Sequence, residues 1–442
     1  MNGYVLSMKT PYINRSRIAG IQISRRLVEN LNLAILGIVL FAFSITELPA
    51  NLHHFESWID YWLPLLGKSW GEIRSAFFIH FGDNDTNASV SSPIWVVIIA
   101  LSGCIFDDPV LIHRVPSAVG AIITSLVLAD IVRRFYRRDL AFAAGLLSLT
   151  SQNLLLFGSI AGYIVPTVAL FVIMIWCLLN VIIERRRGYW VGLGLCLLCS
   201  PFMYATIRYM IFIPLASLVL AMVLSADFRR SNTKHFTALC ALLLVALIPF
   251  SREGLYPMLL NYFNARGEQH LVTHKVLSGA SNAKDEGIIE RVRGVLMQQA
   301  PQKLGYLYEK YSGGERFFNF YFQNYRHNIQ RVLFYLFLCG MARVLYLSFY
   351  STRYLLLLSW SVWTWIPLLL TTSVSINRML IGLPADIFIS LLGFAAPFDG
   401  LKRVLPKVYH PIIYILVYCG VGYLACFSVY WYFEYNAVHA RW

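Results

Sequence analysis

SSPIWVVIIALSGCIFDDPVLIHRVPSAVGAIITSLVLADIVRRFYRRDLAFAAGLLSL, residues 91–149, holds two apolar runs long enough to cross a bilayer, at 117–134 and from 139 onward, hinged on the basic cluster RRFYRR at Arg133–Arg138. A third apolar run, 92–106, is too short to cross comfortably. Counting it as a span would carry RRFYRR to the opposite face from every other basic cluster, so it is read as a helix lying in the membrane interface. That choice decides the threading of the whole chain.

Working outward, the same alternation persists. The 442 residues are 58% hydrophobic and only 14% charged, with a mean hydropathy of +0.59, which excludes a soluble multidomain protein. Further basic clusters occur at Lys9–Arg26, Arg185–Arg187, Arg229–Lys234, Arg343–Arg353 and Lys402–Lys407. With all of them on the cytoplasmic side, about eleven spans follow, near 32–48, 117–134, 139–156, 159–182, 189–203, 206–226, 235–250, 331–350, 354–371, 378–396 and 409–432. The expected protein is an all-α, multi-pass integral membrane bundle with its N-terminus cytoplasmic. Its divisions are a cytoplasmic segment 1–31, a transmembrane module 32–250 with a first outer loop 49–116, a second outer loop 251–330, and C-terminal transmembrane helices 331–442. Residues 1–31 are polar and basic, so no cleaved signal peptide is expected.

The net charge of +14 is accounted for by these topogenic clusters, and no aromatic-interleaved basic patch asks for a nucleic acid. The eight cysteines fall almost entirely within apolar runs, where they read as small membrane-helix residues rather than as disulfides or zinc ligands.

Charged residues that interrupt apolar runs mark the candidate site. Arg378 and Asp386, in "SVSINRMLIGLPADIF", lie at the outer mouth of the tenth span and about two turns deeper. Snorkelling is the alternative for Arg378, and an interhelical hydrogen bond the alternative for Asp386. At the same level stand Glu47, closing the first span, Arg114, preceding the second, Tyr163, near the start of the fourth, and Arg208, opening the sixth. A carboxylate can deprotonate an acceptor hydroxyl or amine, while guanidinium groups bind a phosphate and stabilise it as it leaves. An anionic lipid phosphate could enter such a site laterally, its tail remaining in hydrocarbon.

The motifs then bring in a resemblance. The stretch 91–149 resembles the early region of the GT-C glycosyltransferases, especially the bacterial aminoarabinose and protein O-mannosyltransferase type, through Pro93, Arg114, Pro116, Ser117 and the Arg133–Arg138 cluster. Residues 376–395, "INRMLIGLPADIFISLLGFA", are similar to the late Arg-Tyr-Leu-Leu-Pro span of that family, with Arg378 and Pro384 in register. Ser92 stands where the family has the histidine of its His-Pro-Pro motif. The resemblance implies a GT-C-like bundle with interfacial helices in its first outer loop. It also implies inverting transfer of a sugar from a polyprenyl-phosphate donor, on the outer face, to a glycan, lipid or protein acceptor, in the inner membrane of a bacterium.

Within that expectation Glu47 is the base, with Asp60 and Asp85 the alternatives in the first loop. Arg378, Arg208, Arg114 and Tyr163 hold the donor phosphate, Asp386 supports the cavity, and Lys275 lines an acceptor groove or belongs to a lid. No cofactor is required by the pattern. A divalent metal is left open, with Asp83, Asp85, His53 and His54 as its candidate ligands. A transporter of lipid-linked sugars would instead show inverted repeats with broken helices in matched halves, and an O-antigen polymerase or ligase would place its essential arginines in the late loop.

Overall fold

A bilayer offers no hydrogen-bond partner to the backbone, so apolar runs of this length satisfy their own amides as helices. The computed structural model describes residues 15–47, 93–159, 162, 164–200, 203, 207, 210–252, 328–364 and 380–439, and among these residues all regular structure is helical. The helices are α1 (Arg15–Glu47), α2 (Pro93–Gly103), α3 (Pro109–Ile131), α4 (Ala141–Leu149), α5 (Gln152–Ser159), α6 (Ile164–Ile182) and α7 (Tyr189–Cys199). They continue with α8 (Phe212–Leu224), α9 (Ala226–Arg252), α10 (Asn328–Ser348), α11 (Thr352–Trp363), α12 (Leu383–Val404) and α13 (His410–His439).

Each expected span coincides with at least part of a helix, and the short run at 92–106 forms α2, which packs on α3 with Trp95 and Ile99 buried. Among the described residues, five helices are long and apolar enough to cross a membrane, or six if the bent pair α4–α5 is counted as one span. The third span is broken by 51° at Thr150 and Ser151, whose hydroxyls donate to the carbonyls of Leu146 and Ser148.

The second span differs from expectation at its start. It begins at Pro109 rather than at 117, so Arg114 lies inside the helix instead of before it. The local chemistry explains this. The Asp108 carboxylate accepts from the Val110 amide at 2.8 Å and Pro109 fills the first helical position, where a missing N–H costs nothing. At its other end α3 widens into a π turn, Val132–Tyr136, and passes through a 3₁₀ turn, Arg138–Leu140, into α4.

Side-chain contacts gather the basic clusters at one end of the bundle. Asp130, 6% exposed, receives Arg26 from α1 at 2.6 Å, Arg134 at 2.8 Å, and the indole N–H of Trp176 on α6 at 2.9 Å. Arg133 pairs with Glu29 of α1 at 2.9 Å. Asp399, near the end of α12, takes both Arg137 and Arg343, the latter at 2.8 Å. Burial opposes the charge on Arg137, but its hydrogen bonds to Asp139 and Asp399 outweigh that effect and raise its pKa, so it stays protonated. Tyr136 and Arg353 exchange hydrogen bonds with each other's backbone neighbourhood, Tyr136 to the Arg353 carbonyl and Arg353 to the Phe135 carbonyl. The end of α3 therefore shares one level with the start of α1, the end of α10, the start of α11 and the end of α12, as the alternation of basic clusters requires.

The tightest helix crossing joins α10 to α12. A Cβ on Gly340 would lie 1.8 Å from the Ile389 carbonyl oxygen, and one on Gly393 would lie 1.9 Å from that of Leu336. Small residues let the two backbones touch, which is how helices gain packing energy where lipid removes the hydrophobic incentive. Arg343 adds a hydrogen bond to the Leu392 carbonyl at 3.2 Å.

Because the obstacle at each glycine is backbone, it cannot step aside. Gly340→Ala or Gly393→Ala should destabilise the protein by at least about 2 kcal/mol, read as a lower unfolding midpoint in detergent. Gly422→Ala on α13, where nothing lies within 4 Å, should leave the midpoint unchanged or slightly higher.

Candidate functional site

The opposite end of α3 carries the sequence-level candidates. Arg114 lies 16 residues before Asp130, which sets the two about 24 Å apart along the helix. Its side chain is buried, 5% exposed, and Nη1 donates to the Ile45 carbonyl at 3.1 Å. Ile45 belongs to the last turn of α1, whose carbonyls lack partners within the helix and carry the negative end of its dipole. A guanidinium there satisfies both. Arg114 thus fixes the end of α1, and the backbone of Glu47, the final residue of that helix, stands two positions beyond the contact.

Ser117 follows Arg114 by one turn and is fully buried. Its hydroxyl donates to the Gly162 carbonyl at 2.7 Å and accepts from the Gly162 amide at 3.2 Å. One side chain therefore ties down the two peptide groups that flank Gly162, between α5 and α6. The close approach continues at Gly120, where a Cβ would come within 3.0 Å of the Pro166 backbone nitrogen. His113, 1% exposed, is a buried polar neighbour that motif reasoning passed over. Its signal was its place in "LIHRVPS", beside Arg114.

Asp386 occupies the first turn of α12, where the helix dipole favours a carboxylate, and is 5% exposed. It accepts a hydrogen bond from Ser361 Oγ at 2.7 Å, which links α12 to α11. The same corner is closed by Trp360, whose indole donates to the Ile381 carbonyl at 3.2 Å and whose ring meets Phe171 of α6 edge-on at 5.9 Å. Phe171 lies seven residues into α6, about 10 Å below its start. The interhelical hydrogen bond is what the described geometry of Asp386 shows.

Of the expected site, the structure brings together Arg114, the end of α1 that carries Glu47, and the connection leading to Tyr163. Asp386 sits on a neighbouring corner. The Glu47 side chain and residues Asp60, Asp83, Asp85, His53, His54, Tyr163, Arg208, Lys275 and Arg378 lie outside the described part of the structure. Among the described residues, no group of three His, Cys, Asp or Glu side chains is arranged to hold a metal ion.

Residues 90–253, which include the Arg114 and Asp130 ends of α3, match the family of dolichyl-phosphate-mannose-protein mannosyltransferases. The fold is similar to two structures of an oligosaccharyltransferase from Archaeoglobus fulgidus. One is in complex with an inhibitory peptide and a dolichol-phosphate (TM-score 0.50, 14% identity), and the other is tethered to an acceptor peptide containing the NVT sequon (TM-score 0.53, 15% identity). The chain shares the fold of these two structures. The alignments cover 92% of this chain but only 56% and 55% of the archaeal ones, so it spans little more than half their length. No curated protein matches it. The all-α, multi-helix architecture expected from the sequence is present, and among the described residues five or six helices qualify as spans by length and composition.

Removing the Ser117 hydroxyl takes a hydrogen-bond partner from both the N–H and the C=O of partly buried Gly162. Ser117→Ala should cost about 1–3 kcal/mol, measured as a lower unfolding midpoint, and should speed amide exchange at Gly162; unchanged exchange there would mean that Ser117 does not hold this connection.

Proposed function

We propose that this protein is a membrane glycosyltransferase that moves a sugar from a polyprenyl-phosphate-linked donor to a glycan, lipid or protein acceptor, with inversion. Glu47 takes a proton from the acceptor hydroxyl or amine as that atom bonds to the anomeric carbon. The bond from the anomeric carbon to the phosphate oxygen breaks on the opposite side, and the polyprenyl phosphate leaves with the electron pair. Arg378 and Arg208 stabilise the charge gathering on that phosphate, with Tyr163 donating to it. Arg114 joins them on the phosphate while its Nη1 holds the last turn of α1, the helix that ends at Glu47, and Asp386 supports the cavity through its hydrogen bond to Ser361 of α11.

The observation that carries this reading is the Arg114–Ile45 contact within the segment matching the mannosyltransferase family. It converts a motif arginine into a device that positions an acidic helix terminus. The archaeal neighbour's complex with dolichol-phosphate and a peptide supports a lipid-phosphate donor and a separate acceptor. Asp85 and Asp60 are the next bases in line. Lys275 belongs to the acceptor side. A divalent ion would draw on Asp83, Asp85, His53 and His54.

The positive-inside rule places the Asp130 end, with its arginines, in the cytoplasm and the Arg114 end on the outer face. The expected location is the inner membrane of a bacterium.

Purified protein in proteoliposomes, given polyprenyl-phosphate sugars and no nucleotide sugar, should transfer the sugar. Glu47→Gln should lower turnover by roughly a hundredfold or more while the protein remains folded, and Arg378→Ala should also reduce it strongly. Full activity in Glu47→Gln would move the base into the first loop, and no turnover with any lipid-linked donor would overturn the proposal.

A further inference from the structure

The Asp130 end of the bundle carries an open recess of about 720 Å³ between α1, the turns that follow α3, α12 and α13. Five basic and three acidic residues line it, so its net charge is positive. The carboxylates are already engaged. Glu29 is held by Arg133, while Asp139 and Asp399 are held by Arg137, with Arg343 also on Asp399. Two of the cations are not engaged in this way. Arg138 is exposed and Lys402 half-buried, and neither forms an ion pair with a carboxylate among the described residues. The Lys402 ammonium instead lies 3.5 Å from the centre of the Tyr414 ring. Tyr418, also on the wall, donates its hydroxyl to the Asp139 carbonyl.

A second feature adjoins the cavity. Just past Lys402, the α12–α13 connection and the first turns of α13 present Val404, Val408, Ile412 and Ile415, which are 82%, 73%, 53% and 60% exposed. A cationic recess bordered by an exposed apolar strip matches an amphiphile with an anionic head and hydrocarbon tails. It does not match a fully hydrated anion, for which the strip would have no use.

We propose that this recess binds the phosphodiester headgroup of an anionic phospholipid, on the face of the bundle opposite the candidate active site. Arg138 and Lys402 contact the phosphate, and the acyl chains lie along the strip from Val404 to Ile415. The contact joins α1, the end of α3, α12 and α13, so the lipid acts as a clamp across the first and last parts of the chain. The inference depends on the membrane character of the protein and not on its chemistry.

The full-length protein in a neutral detergent would be titrated separately with phosphatidylglycerol, phosphatidylcholine and inorganic phosphate, reading the unfolding midpoint. Phosphatidylglycerol should raise it saturably, and the other two should not. Arg138→Gln with Lys402→Gln, measured against its own lipid-free midpoint, should need about tenfold more phosphatidylglycerol for half the shift. Arg138→Gln alone provides the test if the pair fails to fold, and Arg403→Gln, outside the cavity lining, should titrate like wild type. An equal response to phosphatidylcholine, a full response to inorganic phosphate, or an unchanged titration in the Arg138 and Lys402 variants would overturn the proposal.

Discussion

A single buried carboxylate organises one end of this protein. Asp130 gathers a guanidinium from α1, two from the turn that ends α3, and an indole from α6. In a low-dielectric interior a lone carboxylate would be costly, and so would each arginine without a partner. Together they are tolerable only if three helices meet in one register. The same arithmetic repeats at Asp399, where two arginines from distant parts of the chain share one acid. These clusters hold the bundle's basic end in place, and with it the length of α3 that carries Arg114 to the other face.

That other face is built differently. Where the basic end relies on paired charges, the Arg114 end relies on side chains that satisfy backbone groups at helix termini and connections. Arg114 reaches the last turn of α1, Ser117 the peptide at Gly162, and Trp360 the carbonyl of Ile381. Such contacts set where a chain segment begins its excursion into a loop. A catalytic group on the first residues of that excursion inherits its position from the bundle, as active sites on loops do when a rigid scaffold holds their ends.

Much of the architecture was legible because its causes are local. Run length predicts helices in lipid, and the contacts of Arg26, Arg137, Arg343 and Arg353 bring the basic residues of α1, the end of α3, α10 and α11 to one end of the bundle. Asp386 announced itself as a charge in an apolar run. The start of α3 was misplaced because an N-cap signal, Asp108 followed by Pro109, was outweighed by hydropathy. Asp130 went unremarked because it sits among arginines, and its meaning depends on Arg26, which is 104 residues away. Ser117 was visible as part of a motif, but its partner Gly162 is joined to it by the fold alone, and no spacing in the chain reveals the pair.

The contact between Gly340 and Gly393 has a mechanical corollary. Helices whose backbones touch, with no side chains between them to shear or re-rotamerise, have no adjustable layer at their crossing. α10 and α12 must then travel as one strut. Asp386 near one end of α12 and Asp399 near the other are rigidly coupled, so a change at the Asp386 corner would be transmitted as a tilt of the whole strut to the arginines at the far end.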